Sequence, residues 1–314
     1  MKKENDNSKR GDNKRSRLKN ILLTLAAIMF VGFVLFPLSI KIFDGSQYGN
    51  VALIPIEGTI TSGLESGFGV DAVNSQTIID FIEDAEENSE IKVILLEINS
   101  PGGSAVASDE IGIAIKKASK PVVVLIREVG ASGGYWIASA GDHIIANRMS
   151  ITGSIGVISS YLEFSGLMEK YGVGYERLVS GEYKDLGTPF RSMTNQERNM
   201  YTKRLDKIQE FFIEEVAENR GMLVSDVEEL ATGEFFLGAE ALDLGLIDEL
   251  GNEDTAEEYI KENYDIEEID YVVYQKEVGL FELLTGISSN FAFDIGQGIG
   301  SMLVRGQDNN LMLI

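Results

Sequence analysis

The sequence predicts an α/β protein built around a mainly parallel β-sheet. Strand-like and helix-like segments alternate along much of the 314-residue chain, and this alternation is the pattern of β–α crossover units. Two strand-like segments, 91–99 and 121–127, are largely apolar, as expected for strands covered on both faces. A glycine-rich turn and then a helix follow each of these strands. We therefore predict a ligand site at the carboxyl ends of the strands.

The individual elements follow from apolar periodicity and from helix start and stop signals. In chain order we predict a bent strand at 51–60, a helix opened by Ser75 at 75–88, a strand at 91–99, a helix at 104–119, a strand at 121–127, a helix after Ser132, strands at 143–147 and 175–179, a long helix from the Thr194–Glu197 capping box to about Asn219, and a short helix, a glycine stop and a strand within 235–251. These elements predict one domain over about 50–275.

Cysteine and histidine usage limits the possible chemistry. The chain has no cysteine and one histidine, His143, which excludes disulfides and thiol catalysis and argues against a zinc site. His143 lies in the apolar run HIIA, so we interpret it as a structural strand residue. We predict no metal and no cofactor.

The charge is strongly acidic and unevenly distributed. Residues 1–20 carry eight Lys/Arg and three Asp/Glu, whereas the rest of the chain carries 19 basic and 47 acidic side chains. Such an acidic surface repels nucleic acid. We therefore predict no nucleic-acid partner.

An uncharged apolar run at 21–40 predicts a transmembrane helix. Twenty helical residues span about 30 Å, the thickness of a bilayer's hydrocarbon core. A cleaved signal peptide has a shorter apolar region that ends at small residues, so we predict an uncleaved anchor. The basic segment 1–20 predicts a cytoplasmic amino terminus and an extracytoplasmic main domain, which is the arrangement of a single-pass cell-membrane protein.

The carboxyl-terminal segment 276–314 differs in composition from the domain before it. Between 280 and 304 it carries Glu282 and Asp294 as its charged residues. Such a segment is typical of a loosely packed tail. An apolar segment that occupies a membrane surface, a partner or the protein's own peptide cleft is the alternative.

The stretch 130–134, GASGG, places Ser132 on a bare backbone and suggests a nucleophile. It matches the nucleophile-elbow pattern G-x-S-x-G, which is weak without structural context. The turn at Gly102 and Gly103 and the turn at Gly133 both precede helices, where free N–H groups stabilise an anion. We therefore predict an oxyanion hole between these two turns.

A nucleophilic serine needs a base, and His143 is poorly placed in the sequence to serve. A lysine can act as the base when burial lowers its pKa. Lys184 lies in a loop-like stretch before the helix cap at Thr194, whereas most other lysines lie on helix faces or at strand ends. Lys184 is therefore a candidate base, although a loop lysine is usually solvated.

Five motifs in fixed order identify a family resemblance. INSPGG, GASGGYWIASAGD, ITGSIGV, SGEYKDLGTPFR and LDLGLIDELG occur in this order along the chain. The chain resembles bacterial signal peptide peptidases of the SppA type, which are Ser-Lys peptidases with a ClpP/crotonase-like fold of repeated ββα units. The resemblance covers about 50–275 and fades in the tail.

The resemblance implies a role for each matching residue. Ser132 matches the nucleophile, Lys184 the general base, and Gly102 and Gly103 the turn that helps to form the oxyanion hole. Ser154, in TGSIG, matches the hydroxyl that holds the base lysine. In single-domain members the serine and lysine come from neighbouring subunits, which implies a homo-oligomeric ring.

Taken together, these features predict a membrane-anchored endopeptidase that degrades apolar peptides such as signal-peptide remnants. Two other classes stay open on the residues alone. An acyl-CoA enzyme would use the oxyanion donors without Ser132 or Lys184, and a membrane scaffold would bind peptides without cleaving them.

Overall fold

The computed structural model describes residues 23–24, 29–30, 49–63, 66–67 and 70–275. Its strands are β1 Val51–Glu57, β2 Thr59–Thr61, β3 Ser66–Gly67, β4 Val70–Asn74, β5 Val93–Ser100, β6 Val122–Ala131, β7 His143–Ala146, β8 Ile151–Gly153, β9 Phe235–Leu237, β10 Glu249–Leu250 and β11 Tyr271–Val273. The main sheet has the order β10-β7-β6-β5-β1-β11, and each of these neighbouring pairs is parallel. The predicted α/β fold with a mostly parallel sheet is confirmed.

Helices cover both faces of the main sheet. They are α1 Ser75–Glu87, α2 Ala105–Lys117, α3 Gly133–Ser139, α4 Ser165–Lys170, α5 Asn195–Arg220, α6 Val224–Leu230, α7 Gly238–Asp243 and α8 Glu253–Asn263. Alternate residues of β5 belong to two separate cores. Ile94 and Leu96 pack in the core that includes α1, α2, α3 and the end of α5, and Val93 and Leu95 pack in the core that includes α8. This explains why the strand is apolar throughout.

Local sequence signals located most elements, with instructive exceptions. The predicted bend in the first strand lies at Gly58, where φ is 77° and β1 gives way to β2. The N-cap of α1 is Asn74 and not Ser75, because the Asn74 side chain accepts a hydrogen bond from the Gln76 N–H. No strand forms at 175–179, so that prediction is wrong. A strand needs a neighbouring strand to pair with, and none is recorded for this segment among the described residues.

The predicted membrane location is contradicted by the structure. Among the residues that the structure describes, no helix is both long enough and apolar enough to cross a bilayer. An apolar run indicates a span only when it forms one continuous helix of about 20 residues, and the structure describes only 23–24 and 29–30 of the predicted anchor at 21–40. The other anchor residues, the basic segment 1–20 and the tail 276–314 lie outside the described residues.

Residues 156–211, which we call the arm, expose large apolar side chains. Residues 195–211 form the first part of α5, about 26 Å long, and are mostly exposed, whereas Phe212 is buried in the core. Ile158 is 89% exposed and Leu178 is 86% exposed. An apolar surface of this extent is typical of a site that binds another protein surface.

A network of ion pairs stabilises the arm around Asp185. Asp185 accepts hydrogen bonds from Arg177 Nη2 at 2.7 Å and from Arg191 Nε at 2.8 Å. Arg191 also donates from Nη1 to Glu197 Oε2 at 2.8 Å, and Glu197 closes the capping box with Thr194. The Glu197 side chain is 3% exposed. Bidentate arginine–carboxylate pairs of this kind hold a fixed geometry.

These contacts lower the pKa of both carboxyl groups. The guanidinium of Arg177, followed by that of Arg191, holds the pKa of Asp185 well below its ordinary value. Arg191, with help from the Thr194 backbone, lowers the pKa of Glu197 from 4.5 to about 2. A carboxyl group with a lowered pKa in the folded state stabilises that state above its unfolded pKa, and this stabilisation is lost as pH falls through the folded value.

We therefore expect the arm to open in acid before the sheet does. Hydrogen-exchange protection factors at 177–197 should be constant above about pH 5 and fall between about pH 4.5 and about pH 2, while those of β5 and β6 change less. A Glu197→Gln variant should show lower arm protection than the wild type at pH 5, and its arm protection should fall less than that of the wild type between pH 5 and pH 2. Arm protection at pH 2 equal to that at pH 5 would contradict this account.

Candidate active site

Ser132 lies on a sharp turn between the end of β6 and the start of α3. Its φ of 52° and ψ of −123° are unusual for a residue with a side chain. The Ser132 N–H donates to the Gly153 carbonyl at 2.8 Å, and the Ser132 carbonyl accepts from the Trp136 N–H at 2.9 Å. Ser132 itself is half-buried, with the buried helix α3 behind it. This is the strand–turn–helix context that the G-x-S-x-G pattern requires.

The turn at Gly102 packs directly against the Ser132 turn. Gly102 has a φ of 98°, and a Cβ there would lie 2.6 Å from the Gly133 nitrogen and 2.9 Å from the Ser132 Cβ. Neither the conformation nor the space admits a side chain. The two glycine turns therefore meet at the carboxyl ends of β5 and β6.

Two backbone N–H groups beside Ser132 have no recorded partner. The Gly102 N–H donates to Ser100 Oγ at 3.1 Å and so is already engaged. Those of Gly103 and Gly133 have no hydrogen-bond acceptor among the described residues. A Cβ at Gly133 would lie 3.2 Å from the Gly103 nitrogen, so the two free donors are close together. Such a pair can stabilise an oxyanion.

Ser154 lies next to the residue that accepts the Ser132 N–H. It follows Gly153 and has a positive φ of 50°. Its N–H donates to the Glu234 carbonyl at 2.9 Å, and its hydroxyl donates to the Gly233 carbonyl at 3.3 Å. The structure thus places Ser154 near the candidate nucleophile in the same chain.

Lys184 is not joined to the Ser132 turn by any contact recorded within the described part of a single chain. It is exposed on the arm, in the turn just before Asp185, and its own N–H donates to the Gly181 carbonyl at 3.1 Å. The single chain therefore assembles the candidate nucleophile and its N–H donors, but leaves the candidate base on a projecting surface.

His143 lies at the opposite end of the sheet from Ser132. It begins β7, pairs with Val123 near the start of β6, and stacks on Tyr259 with the ring centroids 3.6 Å apart. Its Nε2 is 3.3 Å from Glu249. This environment agrees with the structural role expected for His143. Within the described residues, no group of three or more His, Asp or Glu is arranged to hold a metal ion.

Two residues that shape the site were not predicted from the sequence. Ser100 lies beneath the Gly102 turn and accepts its N–H. Its position in the motif INSPGG, directly before the turn, was the sequence feature that could have indicated this role. Asp185 follows Lys184 and bridges two arginines. The sequence shows acidic and basic residues near one another here, but not which of them pair.

Comparisons with known proteins agree with this geometry. A model of peptidase family S49 matches residues 114–267, and a model of the Clp proteases matches residues 66–161. A provisionally named protease of Methanocaldococcus jannaschii is 34% identical over 272 residues, which are 84% of this chain and 85% of that protein. A provisionally named signal peptide peptidase SppA of Enterococcus faecium is 31% identical over 252 residues, which are 79% of this chain and 72% of that protein.

Longer relatives match over a smaller share of their length. Protease 4 of Haemophilus influenzae is 32% identical over 206 residues, which are 65% of this chain and 33% of that protein.

The agreement with the shorter relatives over most of both chains, together with the family match, establishes the family to which this chain belongs. This chain belongs to peptidase family S49 and is a serine peptidase.

Proposed function

We propose that the protein is an endopeptidase that cleaves apolar peptides with Ser132 as nucleophile and Lys184 as general base. The observation that carries this proposal is the strained Ser132 turn, which lies beside the two free N–H groups of Gly103 and Gly133. A strained serine next to paired donors is the arrangement that acyl transfer requires.

The reaction follows from these groups. The neutral Lys184 amine takes the Ser132 hydroxyl proton as Oγ attacks the peptide carbonyl carbon, and the resulting oxyanion accepts hydrogen bonds from Gly103 and Gly133. Lys184 then gives the proton to the leaving amine, and the C–N bond breaks to leave an acyl-enzyme. Water, deprotonated by Lys184, attacks the ester, and Ser132 regains a proton as the acid product leaves.

The Lys184 of one subunit would serve the Ser132 of its neighbour in a homo-oligomeric ring. Two features support this arrangement. Lys184 lies on an exposed arm that has no recorded contact with Ser132 in its own chain, and the arm exposes apolar side chains that a second copy could bury. Packing in such an interface would also shield the lysine amine from water, as a base that must accept a proton requires. Ser154 would then hold the incoming amine.

Signal-peptide remnants are the substrate class we propose. The relative named as a signal peptide peptidase supports it by resemblance. Cleaved signal peptides are apolar and lack a stable fold, so they can enter a site as extended chains.

The dyad predicts the behaviour of two single variants and their mixture. Ser132→Ala and Lys184→Ala should each reduce peptide cleavage by about 10³-fold or more, because removing either member abolishes the activated nucleophile. Coexpression at a 1:1 ratio should restore about a quarter of wild-type activity if the dyad spans an interface, since about one interface in four then pairs an intact serine with an intact lysine. Size-exclusion chromatography of each variant is the control for assembly.

The outcomes separate the two parts of the proposal. Near-normal cleavage by either single variant would remove that residue from the mechanism. Two inactive variants whose mixture stays inactive would place the dyad within one chain.

The oxyanion turn predicts a second effect. Gly102→Ala should reduce kcat by about 10²-fold or more, because the new methyl group meets the Gly133 nitrogen and displaces a donor. The matched control is Gly112→Ala in α2, where a methyl group would meet the Trp136 ring at an ordinary 3.4 Å. Steady-state kinetics on a fluorogenic peptide would measure both, and equal kcat values for the two variants would refute the assignment of this turn.

A further inference from the structure

A fully buried hydroxyl lies directly under the turn that presents the Gly103 N–H. Ser100 is the last residue of β5 and is 0% exposed. Its hydroxyl donates to the Gly58 carbonyl at 2.6 Å and accepts the Gly102 N–H at 3.1 Å. Buried hydroxyls are normally hydrogen-bonded, and both partners of Ser100 are backbone groups, one in the Gly102 turn and one in the connection between β1 and β2.

The bond to Gly102 decides which N–H of the turn stays free. Gly102 is held on both sides, by Ser100 at its N–H and by the Ile60 N–H at its carbonyl, at 3.0 Å. The Ser104 N–H donates to the Ile60 carbonyl at 2.8 Å. Of the N–H groups at 102–104, that of Gly103 alone has no partner in the part of the chain that the structure describes. The turn is therefore fixed on both sides of the one free donor.

The bond to Gly58 acts on the same turn from the other side. Gly58 connects β1 to β2, its N–H donates to the Asn99 carbonyl at 3.0 Å, and its carbonyl accepts from Ser100. Two residues later, Ile60 makes the hydrogen bonds that hold Gly102 and Ser104. Through Gly58, Ser100 therefore also fixes the segment that holds the turn.

We propose that Ser100 is a positioning residue that aims the Gly103 N–H at the oxyanion of the transition state. This proposal rests on the proposed function, in which Gly103 and Gly133 stabilise that oxyanion. Ser100 is not assigned a contact with substrate. Without its hydroxyl, the Gly102 N–H loses its acceptor, and the Pro101–Gly102 peptide, which leads into the Gly102–Gly103 peptide, loses a restraint, so the free donor is less well preorganised.

Ser139 offers a matched control for the loss of a buried hydroxyl. It is also 0% exposed. Its hydroxyl likewise donates to a backbone carbonyl, that of Trp136 at 2.8 Å, and accepts an amide N–H, that of Asn219 at 3.1 Å. Ser139 ends α3 and bonds neither the Gly102 turn nor Gly58. Ser139→Ala therefore removes the same hydroxyl group as Ser100→Ala, from an equally buried position. The hydroxyl of Ser139, unlike that of Ser100, makes no hydrogen bond to the Gly102 turn.

The experiment compares Ser100→Ala with Ser139→Ala in the full chain. We expect Ser100→Ala to lower kcat by about 10- to 100-fold with little change in KM, and to weaken inhibition by a peptide aldehyde by a similar factor, because the aldehyde's hemiacetal carries the same oxyanion. Binding of an uncleaved peptide to a Ser132→Ala background should be unchanged by the Ser100 substitution. Ser139→Ala should keep kcat and aldehyde affinity within about twofold of the wild type.

The results distinguish this inference from the function on which it rests. Cleavage retained by Ser132→Ala would overturn the proposed function. If cleavage requires Ser132 but Ser100→Ala matches Ser139→Ala in both kcat and aldehyde affinity, the positioning role is refuted. If Ser100→Ala fails to fold, Ser100→Cys supplies the same comparison with a weak S–H donor of similar size. An unchanged kcat and aldehyde affinity in Ser100→Cys, where the S–H bond is weaker, would then refute the role.

Discussion

The backbone contact between the Gly102 turn and the Ser132 turn is the constraint on which the site depends. Parallel pairing of β5 with β6 brings the carboxyl ends of both strands to the same edge of the sheet. Ser100 of β5 pairs with Gly130 of β6 just before the two glycine turns begin. The two turns then approach so closely that a Cβ at Gly102 would lie 2.6 Å from the Gly133 nitrogen. Glycine at this position is a condition for the two free N–H groups to lie side by side.

The hydrogen bonds around this contact explain how it can be rigid while the Gly103 and Gly133 N–H groups keep no acceptor within the described residues. Ser100 and Ile60 hold Gly102 on both sides, and Gly153 holds the Ser132 N–H. The Gly102 and Ser132 N–H groups beside the pair are already engaged within the fold, so a developing negative charge meets a prepared pair and does not need to reorganise the backbone. Ser132 keeps its unusual φ of 52° because its N–H is held by the Gly153 carbonyl and its carbonyl by the Trp136 N–H.

The interactions that stabilise the arm differ from those that stabilise the sheet. Its stability comes from charged pairs around Asp185 and from the capping box at Thr194, and many of its apolar side chains are exposed. A segment that is ordered by polar contacts and exposes apolar surface is suited to packing against another surface. Lys184 lies within this segment, so the proposed base and the proposed interface belong to one structural unit.

Several features could be predicted from the sequence because they depend on neighbours along the chain. The capping box of Thr194 and Glu197 is an i, i+3 relation and was predicted with the residues that the structure shows. The apolar β5 and β6 strands and the glycine turns after them were predicted in the same way. The strand expected at 175–179 failed because a strand exists only with a partner. The membrane prediction also failed, because apolar composition does not by itself establish a spanning helix.

The α/β class, the order of most elements and the serine turn could be predicted without coordinates, since these follow from local periodicity, caps and glycine positions. The folded chain decided which backbone donors stay free, since Ser100 bonds Gly58, 42 residues away, and Ile60 bonds the Gly102 turn. It also decided that Lys184 lies on an exposed arm. Hydrogen bonds between residues distant in the sequence depend on how the strands pair, and no local pattern specifies that pairing.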